Sequence, residues 1–242
     1  MWEALRRRRA DLDRWLRARG RAHRISLQSL LLHQQTLPLV RTHAAGRCLD
    51  AGAGGSPWRA LLEAQAVEVI SLDVEARGPG IDLVADLQRM PQVASASFDT
   101  VLCTQVLEHL PDPGAALGEI ARVLKPGGAL ILSAPHLSML HELPHDYFRF
   151  TGQGLCQLLE TRGLRVVELR PSGGLVAFVA HLFSLALQSA LGALPGMRAA
   201  SYWLNQLLFV VPLAPVDRAL GLRSLLPCNH VVLARRSIEG PA

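Results

Sequence analysis

Residues 46–55, Gly-Arg-Cys-Leu-Asp-Ala-Gly-Ala-Gly-Gly, constrain this chain more than any other stretch. A short apolar run, Cys48-Leu49, ends in Asp50, and Gly52, Gly54 and Gly55 follow. This is how a buried parallel strand hands over to a helix while leaving space for a ligand. Glycine tolerates positive φ and lets a bound molecule approach the main chain. The dinucleotide fingerprint G-x-G-x-x-G would need glycine at position 57, where Pro57 stands. What remains is an acid at the strand end, then G-x-G. A carboxylate there repels phosphate and attracts a cationic amine.

The pattern around this turn is an alternation. Strands are predicted at 47–51, 67–73, 81–85, 99–104, 128–134 and 164–169, with helices near 57–65, 112–124 and 151–162. Short apolar strands separated by helices imply a mostly parallel sheet covered on both faces. Lys125-Pro126-Gly127-Gly128 is predicted to stop a helix and turn the chain into the next strand. Residues 25–44 read as a leading helix that Pro38 bends or ends. Residues 228–235 read as a last strand that returns to the sheet.

Two further acids fall at strand ends. Asp73 closes the second strand, and its two acceptor oxygens match the two hydroxyls of a ribose. Asp86, followed by Leu87, closes the third; a helix N-cap is its plainer reading. The fourth strand runs into Thr104-Gln105-Val106-Leu107-Glu108-His109-Leu110-Pro111-Asp112. In the next helix, Leu117, Ile120, Val123 and Leu124 form a core-facing stripe.

In this order, over about residues 45–135, these segments resemble the class I S-adenosylmethionine (SAM)-dependent methyltransferases of the type 11 group. The resemblance implies a Rossmann-like, doubly wound α/β fold. Its seven-stranded sheet is mostly parallel, with an antiparallel last strand. It implies a helical extension over 1–44 and a methyltransferase domain over 45–242. SAM is the implied cofactor, held by Asp50, Ala51, Gly52 and Gly54, by Asp73 and Val74, by Asp86 and Leu87 near the adenine, and by Thr104 and Gln105. Ser56 stands where some members carry another glycine.

Methyl transfer from a sulfonium needs alignment and exclusion of water more than acid–base chemistry. A hydroxyl acceptor also needs a general base, and His109 and His145 are the candidates. Asp146, Tyr147 and Arg149 are candidate acceptor contacts, because the loop His141–Thr151 should lie above the strand ends where open sheets bind ligands, and His136, which follows the fifth strand, is a fourth. It looks like loops of related sequences in surface-glycan and lipid-modifying pathways. The plainer reading pairs Asp146 with Arg149 and makes Thr151 a helix cap. A metal is not expected. Gln105, Glu108 and His109 could ligate one, but the i, i+4 spacing of His141 and His145 loses its meaning because Pro144 opposes a helix.

Charge is unevenly placed. The first 24 residues hold nine arginines against Glu3, Asp11 and Asp13, whereas the rest of the chain holds 16 basic and 17 acidic residues. The body is therefore not a nucleic-acid surface, and no nucleic acid partner is expected. Residues 2–24 read as a basic helix, either solvated or anchored on anionic headgroups. No apolar run follows the arginines, so no secretory signal is expected. The four scattered cysteines read as reduced core residues of a cytoplasmic protein.

Across 172–216 Arg198 is the only formally charged side chain. We read an apolar helical hairpin within 172–227, inserted before the last strand. It is either packed on the protein, dipped into a membrane, or a spanning pair. Segments 1–24 and 175–214 are thus the candidates for peripheral contact with the inner membrane. A hairpin entering near the ligand face of the sheet could receive a hydrophobic acceptor. The expected activity is methylation of a glycan or lipid-linked acceptor at a membrane surface. The alternatives are methylation of a quinone or other small molecule, or a non-catalytic membrane-associated module. The intact Asp50, Gly52, Gly54 and Asp73 argue against the last.

Overall fold

The computed structural model describes residues 15–16, 20–65, 67–76, 80–192, 194 and 196–238. Most of the expected basic helix over 2–24 lies outside these residues. The chain forms two compact units: one gathers the described residues up to Gln34 with Pro171–Cys228, the other Gln35–Arg170 with the described residues from Asn229 onward.

The second unit carries the sheet. In chain order its elements begin with α1 (Leu27–His43), shared with the first unit, then β1 (Arg47–Ala51), α2 (Arg59–Ala64), β2 (Glu68–Asp73) and β3 (Leu83–Val84). There follow β4 (Phe98–Thr104), α3 (Pro113–Val123), β5 (Leu124–Pro135), α4 (Gly152–Glu160), β6 (Leu164–Ser172) and, at the end, β7 (Asn229–Arg236). The strands lie in the order β3-β2-β1-β4-β5-β7-β6. β1 pairs in parallel with β2 and β4, β4 with β5, and β7 runs antiparallel to β5. This is the Rossmann-like, doubly wound sheet that the resemblance implied.

Local chemistry explains the boundaries. Asp112 caps α3 by accepting from the Ala115 N–H at 2.9 Å, with Pro113 at the first helical position. Thr151 caps α4 through the Gly154 N–H at 3.1 Å. The run 125–128 does stop α3, but β5 already starts at Leu124. The extra residues are taken up as an irregularity between the Phe98↔Leu124 and Thr100↔Ala129 pairs. Pro38 does not end α1, which continues through it to His43. One core face joins Leu49, Leu72, Val101, Leu130, Leu132, Val232 and Ala234 of the sheet to Leu117, Ile120, Leu155 and Leu159 of α3 and α4. All four cysteines are free.

The first unit contains the apolar segment. It forms α5 (Leu175–Leu191), α6 (Arg198–Asn205) and α7 (Leu213–Leu220), with a wide turn at Gln206–Val210 making Arg198–Leu220 one continuous helical run. A small core joins Leu27 and Leu31 to Ala177, Ala180 and Cys228. Polar side chains of these helices clamp residues 24–26. Gln188 Nε2 and Asn205 Nδ2 donate to the Ile25 carbonyl at 2.7 and 2.9 Å, and Gln206 Nε2 to the Arg24 carbonyl at 2.7 Å. Asp217, buried, accepts from the Gly174 and Ala177 N–H groups and caps α5 from 40 or more positions away. One side of the hairpin is therefore packed on protein. The 23-residue run Arg198–Leu220 is long and apolar enough to cross a membrane by length and composition, and a third of its most apolar 18-residue stretch is buried within the protein.

Candidate active site

The carboxyl ends of β1, β2, β4 and β5 bring together most of the residues singled out from sequence. Asp50 sits in β1 beside Ser71 of β2 and Leu102 of β4, fully enclosed by the parallel pairing. Its Oδ2 has no hydrogen-bond partner. Burial pushes its carboxyl up to about 7, against the pull of the Arg59 guanidinium and with a push from Asp73. Ala51 ends the strand and is buried. The turn then needs its glycines. Gly52 has φ +70° and Gly54 φ +55°. The Gly54 N–H donates to Asp73 Oδ2 at 2.8 Å, and the Glu75 N–H lies 3.3 Å from Oδ1. Asp73 thus braces the glycine turn from the strand end, next to the exposed Val74.

Asp86 caps no helix. Its carboxylate accepts from the backbone N–H and side-chain amide of Gln88 at 2.9 and 3.1 Å, closing a tight turn. The side chain of Leu87 enters the core. At the end of β4, Thr104 is half-buried and Gln105 has φ +56°, the left-handed region that costs a non-glycine residue about 1 kcal/mol or more. The conformation is held because its N–H donates to the Ser133 carbonyl at 2.9 Å and its side-chain amide to Ser133 Oγ at 3.2 Å.

Beyond Gln105 the chain makes one short turn, Leu107–His109, against the 136–151 loop. The Tyr147 N–H donates to the Glu108 carbonyl at 2.8 Å. His109 Nδ1 lies 2.6 Å from the His145 carbonyl, and His145 Nδ1 3.0 Å from the Tyr147 hydroxyl. Tyr147, Phe148 and Phe150 form an aromatic row with ring centroids 6.5 and 6.0 Å apart, the first two partly exposed. Asp146 and Arg149 form a two-pronged ion pair at 2.6 and 2.8 Å. Arg149 also donates to the Met139 and Phe148 carbonyls. The pair holds the Asp146 carboxyl down at about 2. The Asp146–Arg149 pair and the Thr151 cap, the plainer readings of this loop, are both present. His136 Nδ1 bonds the Phe150 carbonyl at 3.0 Å, and its ring lies 5.7 Å from that of His230.

His230 escaped sequence reasoning, and Glu108, singled out there only as a possible metal ligand, enters this neighbourhood as a buried acid. Glu108 is fully buried and its carboxyl is pushed by that burial up to about 8. His230, on β7 next to Ala134 of β5, is buried with both ring nitrogens unpartnered, and burial followed by the nearby His136 lowers it to about 4. A glutamate next to a histidine after an apolar strand was the available signal for Glu108. His230 had none, because its neighbours come from a strand almost a hundred positions earlier.

Comparison with known proteins agrees with this geometry. A family profile described as a methyltransferase domain matches residues 17–169, more than half of the chain. The chain belongs to the class I SAM-dependent methyltransferase family. A ubiquinone biosynthesis O-methyltransferase of Xanthomonas oryzae is 34% identical over 103 residues, 37% of this chain and 43% of the relative. One of that description from Ralstonia nicotianae is 28% identical over 178 residues, 61% of this chain and 73% of the relative. The chain thus spans less than half the length of the first of these relatives. The solved structure of the [4+2]-cyclase SpnF shares the fold, with TM-score 0.59 and 16% identity over 87% of this chain and 82% of that one.

Proposed function

We propose that the protein transfers the methyl group of SAM to a hydroxyl of a small, apolar aromatic acceptor of the quinol or phenol class. The observation that carries this is a buried acid, Asp50, whose Oδ2 has no hydrogen-bond partner, followed by a glycine turn braced by Asp73, at the strand ends from which a histidine-rich and aromatic loop also extends. In this reading the cationic amine of SAM meets Asp50, and its ribose hydroxyls meet Asp73. Its adenine lies toward Asp86 and Leu87, and Ala51, Gly52, Gly54, Val74, Thr104 and Gln105 shape the remaining walls. The acceptor ring stacks along Tyr147 and Phe148 beside His136. The methyl carbon passes from sulfur to the acceptor oxygen in line, S-adenosylhomocysteine leaves, and the hydroxyl proton goes to His109 or His145.

The names of the curated relatives support the quinol reading. A glycan or lipid-linked sugar, expected from the loop sequence, draws less support, because Asp146 and Arg149 already engage each other. Membrane contact is part of the same proposal. The first unit exposes Phe183, Trp203, Leu207 and Val211, the last two at 70% and 66%. Its described charges are Arg21, Arg24, Arg198, Arg218 and Arg223 against the buried Asp217. An apolar face edged by arginines suits anionic headgroups, as a surface contact at the inner membrane from the cytoplasmic side.

The test is S-adenosylhomocysteine release with SAM and a panel of catechols, phenols and glycans. Turnover with a catechol or phenol is expected. Turnover with glycans alone would overturn the acceptor class, and absence of SAM binding by calorimetry would overturn the enzyme.

A further inference from the structure

One cluster in the sheet unit lacks the partners its burial demands. Glu108 is 0% exposed, and neither carboxylate oxygen has a hydrogen-bond partner in another residue. Two imidazoles face it. His109 Nε2 lies 3.8 Å and His141 Nε2 4.0 Å from Glu108 Oε1. The two rings meet edge to face with centroids 4.8 Å apart. The other nitrogen of each ring is already engaged: His109 Nδ1 with the His145 carbonyl at 2.6 Å, His141 Nδ1 with the Met139 carbonyl at 3.1 Å. A carbonyl oxygen can only accept, so each Nδ1 carries a proton. In a neutral ring each Nε2 then presents a lone pair.

The cluster is therefore a convergence of acceptors: a carboxylate and two imidazole lone pairs, with one ligand atom from each residue lying within 4.8 Å of the others. Acceptors cannot satisfy one another. A proton on Glu108 would serve one of them; a divalent cation serves all. The carbonyls on the Nδ1 atoms are the outer partners that fix a ligating histidine in its tautomer and orientation.

We infer that Glu108, His109 and His141 form a site for a divalent transition-metal cation, with the remaining coordination positions open to water or an oxygen ligand. Two imidazoles and one carboxylate suit Zn²⁺, with Fe²⁺ and Mn²⁺ next. Mg²⁺ and Ca²⁺ prefer all-oxygen sets. Tetrahedral Zn²⁺ with bonds near 2.1 Å places ligand atoms about 3.4 Å apart, so the cluster contracts by roughly 1 Å on binding. The spacing of His141 and His145 is irrelevant to this site. The partner of His141 lies 33 positions earlier in the chain, brought to it by the β5 loop. A bound cation would occupy His109 Nε2 and leave His145 to accept the proton. The site stands on donor geometry and does not depend on the acceptor class, nor on methyl transfer itself.

The test uses the full-length protein stripped with EDTA, dialysed free of chelator and titrated with ZnCl₂ against a chromogenic chelator, without SAM. The wild type should bind one Zn²⁺ more per chain than Glu108→Gln or His141→Ala. Co²⁺ should give the visible band of a four- or five-coordinate site in the wild type and lose it in His141→Ala. His141 lies in a loop, so thermal unfolding of that variant should match the wild type. Equal Zn²⁺ stoichiometry in wild type and variants would overturn the inference. So would an unchanged Co²⁺ spectrum in folded His141→Ala, or wild-type protein that binds neither ion.

Discussion

Gly52 and Gly54 share a positive φ, yet a methyl group added to each meets different surroundings. At Gly52 a Cβ would lie 2.5 and 2.8 Å from the two Val106 methyls and 3.2 Å from the Val106 Cβ. Rotating the valine clears one methyl but not the Cβ, so the backbone must shift. Overpacking of this kind costs about 1–3 kcal/mol, and left-handed backbone in an L-residue adds about 1–2 kcal/mol. Gly52→Ala should therefore lose about 2–5 kcal/mol of stability. At Gly54 a Cβ meets nothing within 4 Å, so only the backbone term remains, about 1–2 kcal/mol. At roughly 2–4 °C per kcal/mol for a chain of this size, Gly54→Ala should lower Tm by only a few degrees. If the open space above Gly54 is where SAM lies, the same small change should raise its Kd by about tenfold or more, equivalent to about 1.4 kcal/mol. Differential scanning fluorimetry and SAM calorimetry on both variants measure the two quantities separately. Equal Tm losses would refute the Val106 argument. Unchanged SAM affinity in Gly54→Ala would refute the placement of the cofactor.

The charge arrangement and the exposed apolar face lead to four more expectations. Asp50→Asn removes a buried carboxyl whose Oδ2 has no hydrogen-bond partner, so Tm should hold or rise while SAM affinity falls at least tenfold. In the wild type, SAM affinity should strengthen as pH rises through about 7 and Asp50 ionises; a flat profile would count against the amine contact. His230 is lowered to about 4 from its ordinary 6.5. The unfolded chain therefore binds the proton first as pH falls. Stability is complete above 6.5 and declines toward pH 4 by about 3 kcal/mol. Urea unfolding at pH 4.5, 5.5 and 7 should show this slope in the wild type and lose it in His230→Gln. Finally, Leu207→Ser with Val211→Ser should leave Tm within about a degree, since exposed sites contribute little. The pair should reduce co-sedimentation with phosphatidylglycerol vesicles; unchanged sedimentation would remove this face from the membrane contact.

Much of the sheet was legible along the chain because its signals are local. Asp50 through Gly55 announces a strand, a turn and a helix within ten residues, and β1 falls at Arg47–Ala51, as the pattern predicts. Asp112 and Thr151 mark helix starts by their own side chains. Family order then supplied the antiparallel β7, which no local pattern shows. The bounds of β5 were less legible. Its ladder with β4 begins before the Gly127-Gly128 turn, and pairing across strands outweighed the breaker signal.

The sequence by itself determined the strand–helix alternation, the glycine turn with its two strand-end acids, and the apolar character of 172–216. Each of these depends on residues close in the chain. Only the tertiary structure decided what the histidines and the buried acids face. Glu108 and His141 meet across a loop, His136 and His230 across two antiparallel strands, and Asp217 reaches Gly174 across the hairpin. Such meetings arise from strand pairing and helix packing between distant segments, and no spacing along the chain records them. They turned an apolar stretch into a packed hairpin with one exposed face. They also turned a scatter of histidines into a cluster of converging lone pairs.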